Sequence, residues 1–214
     1  MPSTANTTNV PAPQKVLILF AHPAPHRSQA NRPMLRAAAH LPGVTLIDLY
    51  AHYPDFAIDI DAEQARLREH DVVIFQFPLY WYSTPSILKE WQDLVLEYGF
   101  AYGQDGDALH DKLFLCAVTA GGLASAYKSG EGRNKSLREL LMPLEHMATL
   151  CGMQYLPPFA LFGSRTAPEE GRIASHVSDW TRLLRALTRH ELPISSLQDL
   201  PLLNEALHQQ EKEH

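Results

Sequence analysis

Apolar residues in this chain gather in short unbroken runs rather than in alternation. Residues 16–21 (VLILFA) form one run, residues 72–77 (VVIFQF) a second with a single Gln, and residues 113–118 (LFLCAV) a third. Runs apolar on both faces are what central strands of a parallel sheet require, because helices cover both sides. Residues 44–48 (VTLID) predict a weaker strand and residues 153–162 a fifth.

Between the runs the pattern turns helical. Residues 31–41 (NRPMLRAAAHL) are rich in helix formers, with Asn31 as N-cap and Pro33 tolerated in the first turn. A helix over 61–69 opens on Asp61, with Gln64 three residues on as in a capping box. Residues 85–98 put Ile87, Leu88, Trp91, Leu94 and Val95 on one face, with Pro85 in the first turn after Ser83 or Thr84. Trp91 suits either the core or a surface between copies. Residues 137–151, followed by Gly152 as the C′ residue, and residues 169–187 give two more helices.

Strands separated by helices of this length are β-α-β units. Their right-handed crossovers give an α/β fold, an open parallel sheet with helices on both faces. Five strands match the flavodoxin-like order 2-1-3-4-5. Residues 15–190 are expected as one domain. Residues 1–14 read as a flexible, Pro-containing tail without the basic and apolar regions of a signal peptide. Residues 191–214 read as a polar C-terminal tail, loosely docked, or holding a short amphipathic helix over 199–207 with Asp199 as cap.

Composition narrows the class. Of the 214 residues 45% are hydrophobic and 20% charged, the balance of a soluble globular domain. The net charge of −6 argues against a strongly basic nucleic-acid binder. No apolar run has the roughly 18 residues of a membrane span. Cys116 and Cys151 cannot build a disulfide framework and suggest a reducing, cytoplasmic setting. Cys116, inside a strand, reads as a buried inert thiol. The eleven histidines lack metal-ligand spacing, so no metal is expected.

In such a sheet ligands bind at the carboxyl ends of the strands. After the first run come His22 and then Ser28, Gln29, Ala30 and Asn31, entering a helix. Backbone N–H groups there favour a phosphate, with His22 as a donor or, protonated, a charge; an ordinary capped helix explains the same residues. After the third strand come Leu79, Tyr80, Trp81 and Tyr82, which suit a planar ligand or pack over the sheet edge. After the fourth come Thr119, Ala120, Gly121 and Gly122, where glycines admit unusual backbone or close approach, or simply turn the chain. Together they offer an anion pocket, an aromatic wall and a glycine floor, the needs of a flavin mononucleotide. No dinucleotide or NTP glycine motif is present.

The chain resembles the flavodoxin-like NAD(P)H:quinone oxidoreductases, and within them the ancillary flavoproteins of glutathione-gated potassium efflux systems. The resemblance spans residues 15–187. It is carried by His22-Pro with Ser28 to Asn31, by DLYAHYPDFAIDID over 48–61, FPLYWY over 77–82, PSILKEW over 85–91, TAGG over 119–122 and LPPF over 156–159. It implies a flavin held by His22, Ser28 to Asn31, Leu79 to Tyr82 and Thr119 to Gly122. Ser28 and Asn31 would take the phosphate, and N–H groups near Trp81 and Tyr82 would meet the ring. Ala120 stands where the family commonly has a second Thr. Tyr127 matches a Tyr that assists hydride transfer in animal relatives, while Arg133 stands where their His falls. The implied activity is ping-pong transfer from NAD(P)H through flavin to a quinone. The implied alternative role is to bind and activate a membrane potassium antiporter from the inner face of the cell membrane. FMN is expected rather than FAD, because one turn accounts for one phosphate and no adenine-binding motif follows. A homodimer is expected, with residues 85–98 and 137–151 in the contact, since the aromatic wall would otherwise lie open.

Overall fold

The computed structural model describes residues 12–128 and 134–210, with side chains through residue 207. Residues 1–11 of the expected N-terminal tail, and Arg133, lie outside the described residues. Strands β1 (Val16–Phe20), β2 (Val44–Asp48), β3 (Val72–Pro78) and β4 (Leu113–Thr119) run parallel in the order β2-β1-β3-β4. Two short strands, β5 (Gln154–Tyr155) and β6 (Phe159–Leu161), pair in succession with β4. The order is flavodoxin-like, as the alternation predicts. The single fifth strand expected over 153–162 is broken, because Pro157 and Pro158 have no N–H to donate to β4.

The helices are α1 (Asn31–Ala38), α2 (Leu49–His52), α3 (Ile60–Glu69), α4 (Ser86–Val95), α5 (Leu137–Leu140), α6 (Met142–Leu150), α7 (Arg172–Thr188), α8 (Ile194–Leu197) and α9 (Leu203–Gln210). Every side chain of β1, β3 and β4 is buried. Leu17, Leu19, Phe75, Phe77, Phe114 and Val118 face a core closed by α3, α4 and α6; Val16, Ile18, Ile74, Leu115 and Ala117 face one closed by α1 and α7. Trp91 lies in the first core, its indole N–H donating to the buried Glu63 at 3.0 Å. Cys116 is wholly buried, which pushes its thiol far above the ordinary range, and burial takes Cys151 up to about 11.

Several helix ends differ from expectation for local reasons. Asp59, not Asp61, caps α3, because its extended backbone lets Oδ1 accept from the Ala62 N–H at 3.0 Å. Asp61 sits inside the first turn, where a carboxylate complements the helix dipole. Pro85 precedes α4 rather than opening it, and Ser83 cannot cap because its backbone is paired with Tyr80. The helix over 137–151 is two helices broken at Leu141, since Pro143 lacks an N–H that a continuous helix uses. Helix α7 starts at Arg172, after Gly171 at φ +70°.

The C-terminal segment is more than a loosely docked polar tail. Its helix begins at Leu203 rather than near Asp199, and Leu197, Leu203, Ala206 and Leu207 join the second core beside Trp180 and Leu184. The Leu203 N–H donates to the Pro158 carbonyl at 3.0 Å, and Asn204 Oδ1 accepts the Ala160 N–H at 2.9 Å. Arg138 donates to the Gln198 carbonyl at 2.9 Å. The exposed edge of β6, which would otherwise offer unpaired backbone, is thereby covered.

Candidate functional site

The chain leaves β1 through Ala21 and His22 and turns at Pro25–Arg27 into α1. Ser28 Oγ accepts the Asn31 N–H at 2.9 Å, so Ser28 rather than Asn31 serves this helix start. Asn31 is instead the first helical residue, only 1% exposed, and its amide donates to Thr119 Oγ1 at 2.7 Å. That partner, at the end of β4, draws the side chain away from the cap position. Gln76 donates to the Asn31 carbonyl at 3.4 Å, so a polar line crosses the ends of β3, α1 and β4. The N–H groups of Gln29 and Ala30 make no hydrogen bond among the described residues. Asn31 Oδ1 is buried without a partner. His22 accepts the Ala24 N–H on Nδ1 at 3.1 Å, and burial holds its pKa below the usual value. It therefore presents a neutral ring with Nε2–H as donor, not the charge the sequence allows.

The aromatic loop is a two-residue hairpin. Tyr80 and Ser83 exchange N–H···O bonds of 3.2 and 3.0 Å, with Trp81 at φ +50° and Tyr82 at φ +64°. Both central residues with positive φ make a type I′ turn, a geometry that prefers Asn-Gly. Two aromatics there each carry roughly 1–3 kcal/mol of strain. Trp81 is 93% exposed and Tyr82 64%. The N–H groups of both are without partners among the described residues. Leu79 anchors the loop, its N–H donating to the Thr119 carbonyl at 2.8 Å.

Beyond β4, Ala120 accepts the Ser164 N–H at 2.9 Å and Gly122 accepts the Gly163 N–H at 2.7 Å, which zips this loop to the one after β6. Neither Gly121 nor Gly122 has positive φ, so the need for glycine here is space, not backbone freedom. A Cβ on Gly121 would stand 3.2 Å from Arg165 Nε; one on Gly122 would stand 3.1 Å from the Tyr127 ring. Tyr127 packs on Phe162 at 5.0 Å, and burial with Tyr82 nearby raises its pKa.

These loops enclose two adjoining cavities. One, of about 530 Å³, is lined by His22, Arg27, Ser28, Gln29, Ala30, Asn31, Leu79, Tyr80, Thr119, Gly121 and Arg165 among others. The other, of about 970 Å³, is lined by Trp81, Tyr82, Gly122, Tyr127, Lys135 and Leu140, and shares Leu79, Tyr80, Gly121 and Arg165 with the first. Of the described residues singled out in sequence for the site, Ala120 alone lies behind the walls, buried and bonded to Leu161. Ser164, Arg165, Asn134 and Lys135 escaped sequence reasoning. The same rule of strand carboxyl ends, applied to the fifth strand, points to Ser164 and Arg165. Among the described residues neither cavity has a carboxylate in its lining, although the chain carries net charge −6. Free N–H groups, arginines and open glycines suit a phosphate-bearing planar ligand.

An open parallel sheet with its cleft at this end defines a flavodoxin-like α/β protein. Residues 14–184 match the family described as having a flavodoxin-like fold, and the chain belongs to that family. It is 46% identical over 170 residues to the glutathione-regulated potassium-efflux system ancillary protein KefG of Cronobacter sakazakii, covering 79% of this chain and 92% of that protein. The crystal structure of general stress protein 14 from Treponema denticola in complex with FMN shares 37% identity and a TM-score of 0.75, over 81% and 99% of the two chains. An NADPH-quinone reductase from P. pentosaceus shares 29% identity and a TM-score of 0.71, over 79% and 96%.

Proposed function

We propose that this chain binds FMN across the two cavities and transfers reducing equivalents from NAD(P)H to a quinone. The observation that carries this reading is the continuity of a phosphate cradle, without a carboxylate among the described residues, with an aromatic and glycine-walled chamber. It is supported by the FMN in the Treponema denticola structure and by the quinone reductase relative. When bound, the flavin supplies hydride acceptance and two-electron delivery. The protein binds and orients. N–H groups of Gln29 and Ala30, with Ser28 and Arg27, hold the phosphate at the start of α1. Asn31 and Thr119 fix each other and set the floor. The free N–H groups of Trp81 and Tyr82 meet the ring, and Gly121 and Gly122 let the backbone approach it. Tyr127 offers a hydroxyl donor on the substrate side, and burial raises its pKa further from neutral pH.

The test is cofactor content and turnover of purified protein. One FMN per chain, and NAD(P)H oxidation that requires a quinone, are expected. Protein that neither retains nor rebinds flavin overturns the reading, and FAD in mass analysis overturns the choice of FMN. The reading includes a homodimer that covers the exposed Trp81, Tyr82, Tyr98, Met142 and Leu150. Trp91, wholly inside the core, takes no part. Sedimentation at micromolar concentration checks it, and a fully active monomer refutes it.

The KefG relative favours a second reading, in which the chain regulates a glutathione-gated potassium antiporter from the cytoplasmic face of the membrane. Among the described residues no helix is long and apolar enough to cross a membrane. Co-purification with antiporter-containing membranes, and potassium efflux with and without the chain, separate this role from catalysis alone.

A further inference from the structure

Arg165, like Arg27 on the smaller cavity, lines the cleft without an ion pair among the described residues, unlike several arginines elsewhere in the fold. Arg66 pairs with Glu63, Arg138 with Glu145 and Arg172 with Glu170. Arg165 makes no ion pair or hydrogen bond among the described residues. Its base is nonetheless fixed. Ser164 donates to the Ala120 carbonyl at 2.9 Å and Gly163 to the Gly122 carbonyl at 2.7 Å, so the loop carrying Arg165 is stitched to the glycine floor. The guanidinium stem lies over Gly121, and the residue lines both cavities, at the neck between them.

We propose that Arg165 faces the N1 and C2-carbonyl edge of the bound flavin and stabilises the charge that edge gains on reduction. This rests on the FMN reading of the cleft. The phosphate end of the smaller cavity already has Arg27 and two free N–H groups, and needs no further cation. The ribityl arm passing through the neck joins the ring at N10, the atom adjacent to the C10a–N1 edge. The other edge beside N10, at C9a and C9, is hydrocarbon, so N1 and the C2 carbonyl form the polar edge that a cation at the neck can pair with. Hydride arrival brings two electrons and one proton, leaving one negative charge that localises at N1 and the C2 oxygen. A guanidinium held there binds the reduced ring more tightly than the oxidised ring, and so raises its potential. Lys135, the other cation lining the larger cavity among the described residues, is paired with Glu139 at 3.1 Å and is less free to do this.

The experiment compares wild type, Arg165→Gln and Arg165→Lys. Apoprotein is titrated with FMN and with riboflavin, which lacks the phosphate, and the midpoint potential of the bound flavin is measured. Wild-type binding of FMN tests the cleft reading by itself. If it holds, Arg165→Gln is expected to bind oxidised FMN and riboflavin within threefold of wild type. Its preference for the reduced over the oxidised ring falls tenfold or more, a drop of about 30 mV per factor of ten for a two-electron couple. Arg165→Lys restores most of the potential. An unchanged potential in Arg165→Gln overturns the proposal. So does a loss of FMN binding with riboflavin binding kept, which places Arg165 on the phosphate instead.

Discussion

At the β6 edge, backbone and side chains satisfy one another: Leu203 and Asn204 take up the free groups of Pro158 and Ala160, and leucines from α8 and α9 fill the space beside Trp180. At the carboxyl ends of β1, β3 and β4 the same chain does the reverse. Among the described residues the N–H groups of Gln29, Ala30, Trp81 and Tyr82 stay unpaired, two aromatics sit at positive φ, and neither Arg27 nor Arg165 has a counterion. The edge gains from removing surface from water. The cleft keeps strain and hydrogen-bonding groups that no protein atom among the described residues takes up and a ligand can. The contrast says that changes at the edge move stability, and changes in the cleft move binding.

The largest effect is expected from Leu203→Ala. It deletes a side chain buried at 1% exposure, against Phe159 and α7, and such truncations cost about 2–5 kcal/mol. Urea unfolding should show a loss near 3 kcal/mol, while FMN affinity of the folded protein stays within twofold. A matching loss of affinity breaks the division between edge and cleft.

Next comes a pH dependence that belongs to the edge. His176 lies buried on α7, stacked on Phe159 at 4.5 Å, and burial with Arg172 nearby lowers its pKa to about 4. The unfolded chain, with the imidazole near its ordinary value, takes up the proton first as pH falls. Stability from this group is thus complete above about pH 6.5 and is lost down to about pH 4, by about 3 kcal/mol. His176→Phe should flatten that part of the stability curve. An identical acid slope in the variant assigns it elsewhere, with His22, also lowered by burial, the first candidate.

Gly121→Val sharpens the comparison from the other side. The site is exposed, its φ is ordinary, and the added Cβ meets the far end of the flexible Arg165 side chain, nearest at Nε. Stability should change by less than about 1 kcal/mol. The branched side chain occupies space the ligand needs, so FMN affinity should fall more than tenfold, over about 1.4 kcal/mol. Titration of apoprotein checks both halves, and unchanged affinity moves the ring away from this glycine.

The order of strands was legible because each central run is apolar on both faces. So were the three loops, because strand carboxyl ends converge whatever the side chains. What sequence could not show was competition for partners. Asn31 looks like a cap, yet Thr119, far away in the chain, takes its amide. Residues 153–162 look like one strand until the need of β4 for an N–H donor meets Pro157 and Pro158. The hydrophobic pattern of Leu197, Leu203 and Leu207 was visible, but not the unpaired backbone of β6 that it covers. The I′ turn at Trp81 and Tyr82 was the hardest to see, because it lacks the Gly or Asn that normally marks positive φ.

That turn gives the smallest and most discriminating effect. Trp81 is 93% exposed, so removing its ring sacrifices little packing. Its backbone, at φ +50°, is strained for any residue with a Cβ. Ala keeps that strain and Gly removes it, while both delete the ring. Trp81→Gly should therefore be more stable than Trp81→Ala by about 1 kcal/mol, after the extra freedom of Gly in the unfolded chain offsets part of the gain. Equal stability of the two variants would mean that the hairpin carries no strain at this residue. FMN affinity adds the second axis. If the ring of Trp81 forms the wall, the two variants lose affinity alike. If the cleft depends on a backbone fixed in advance, with the N–H groups of Trp81 and Tyr82 held outward, Trp81→Gly loses severalfold more despite being the more stable protein. Stability and binding moving in opposite directions on one residue is the behaviour that separates this cleft from the β6 edge, where they are expected to stay uncoupled.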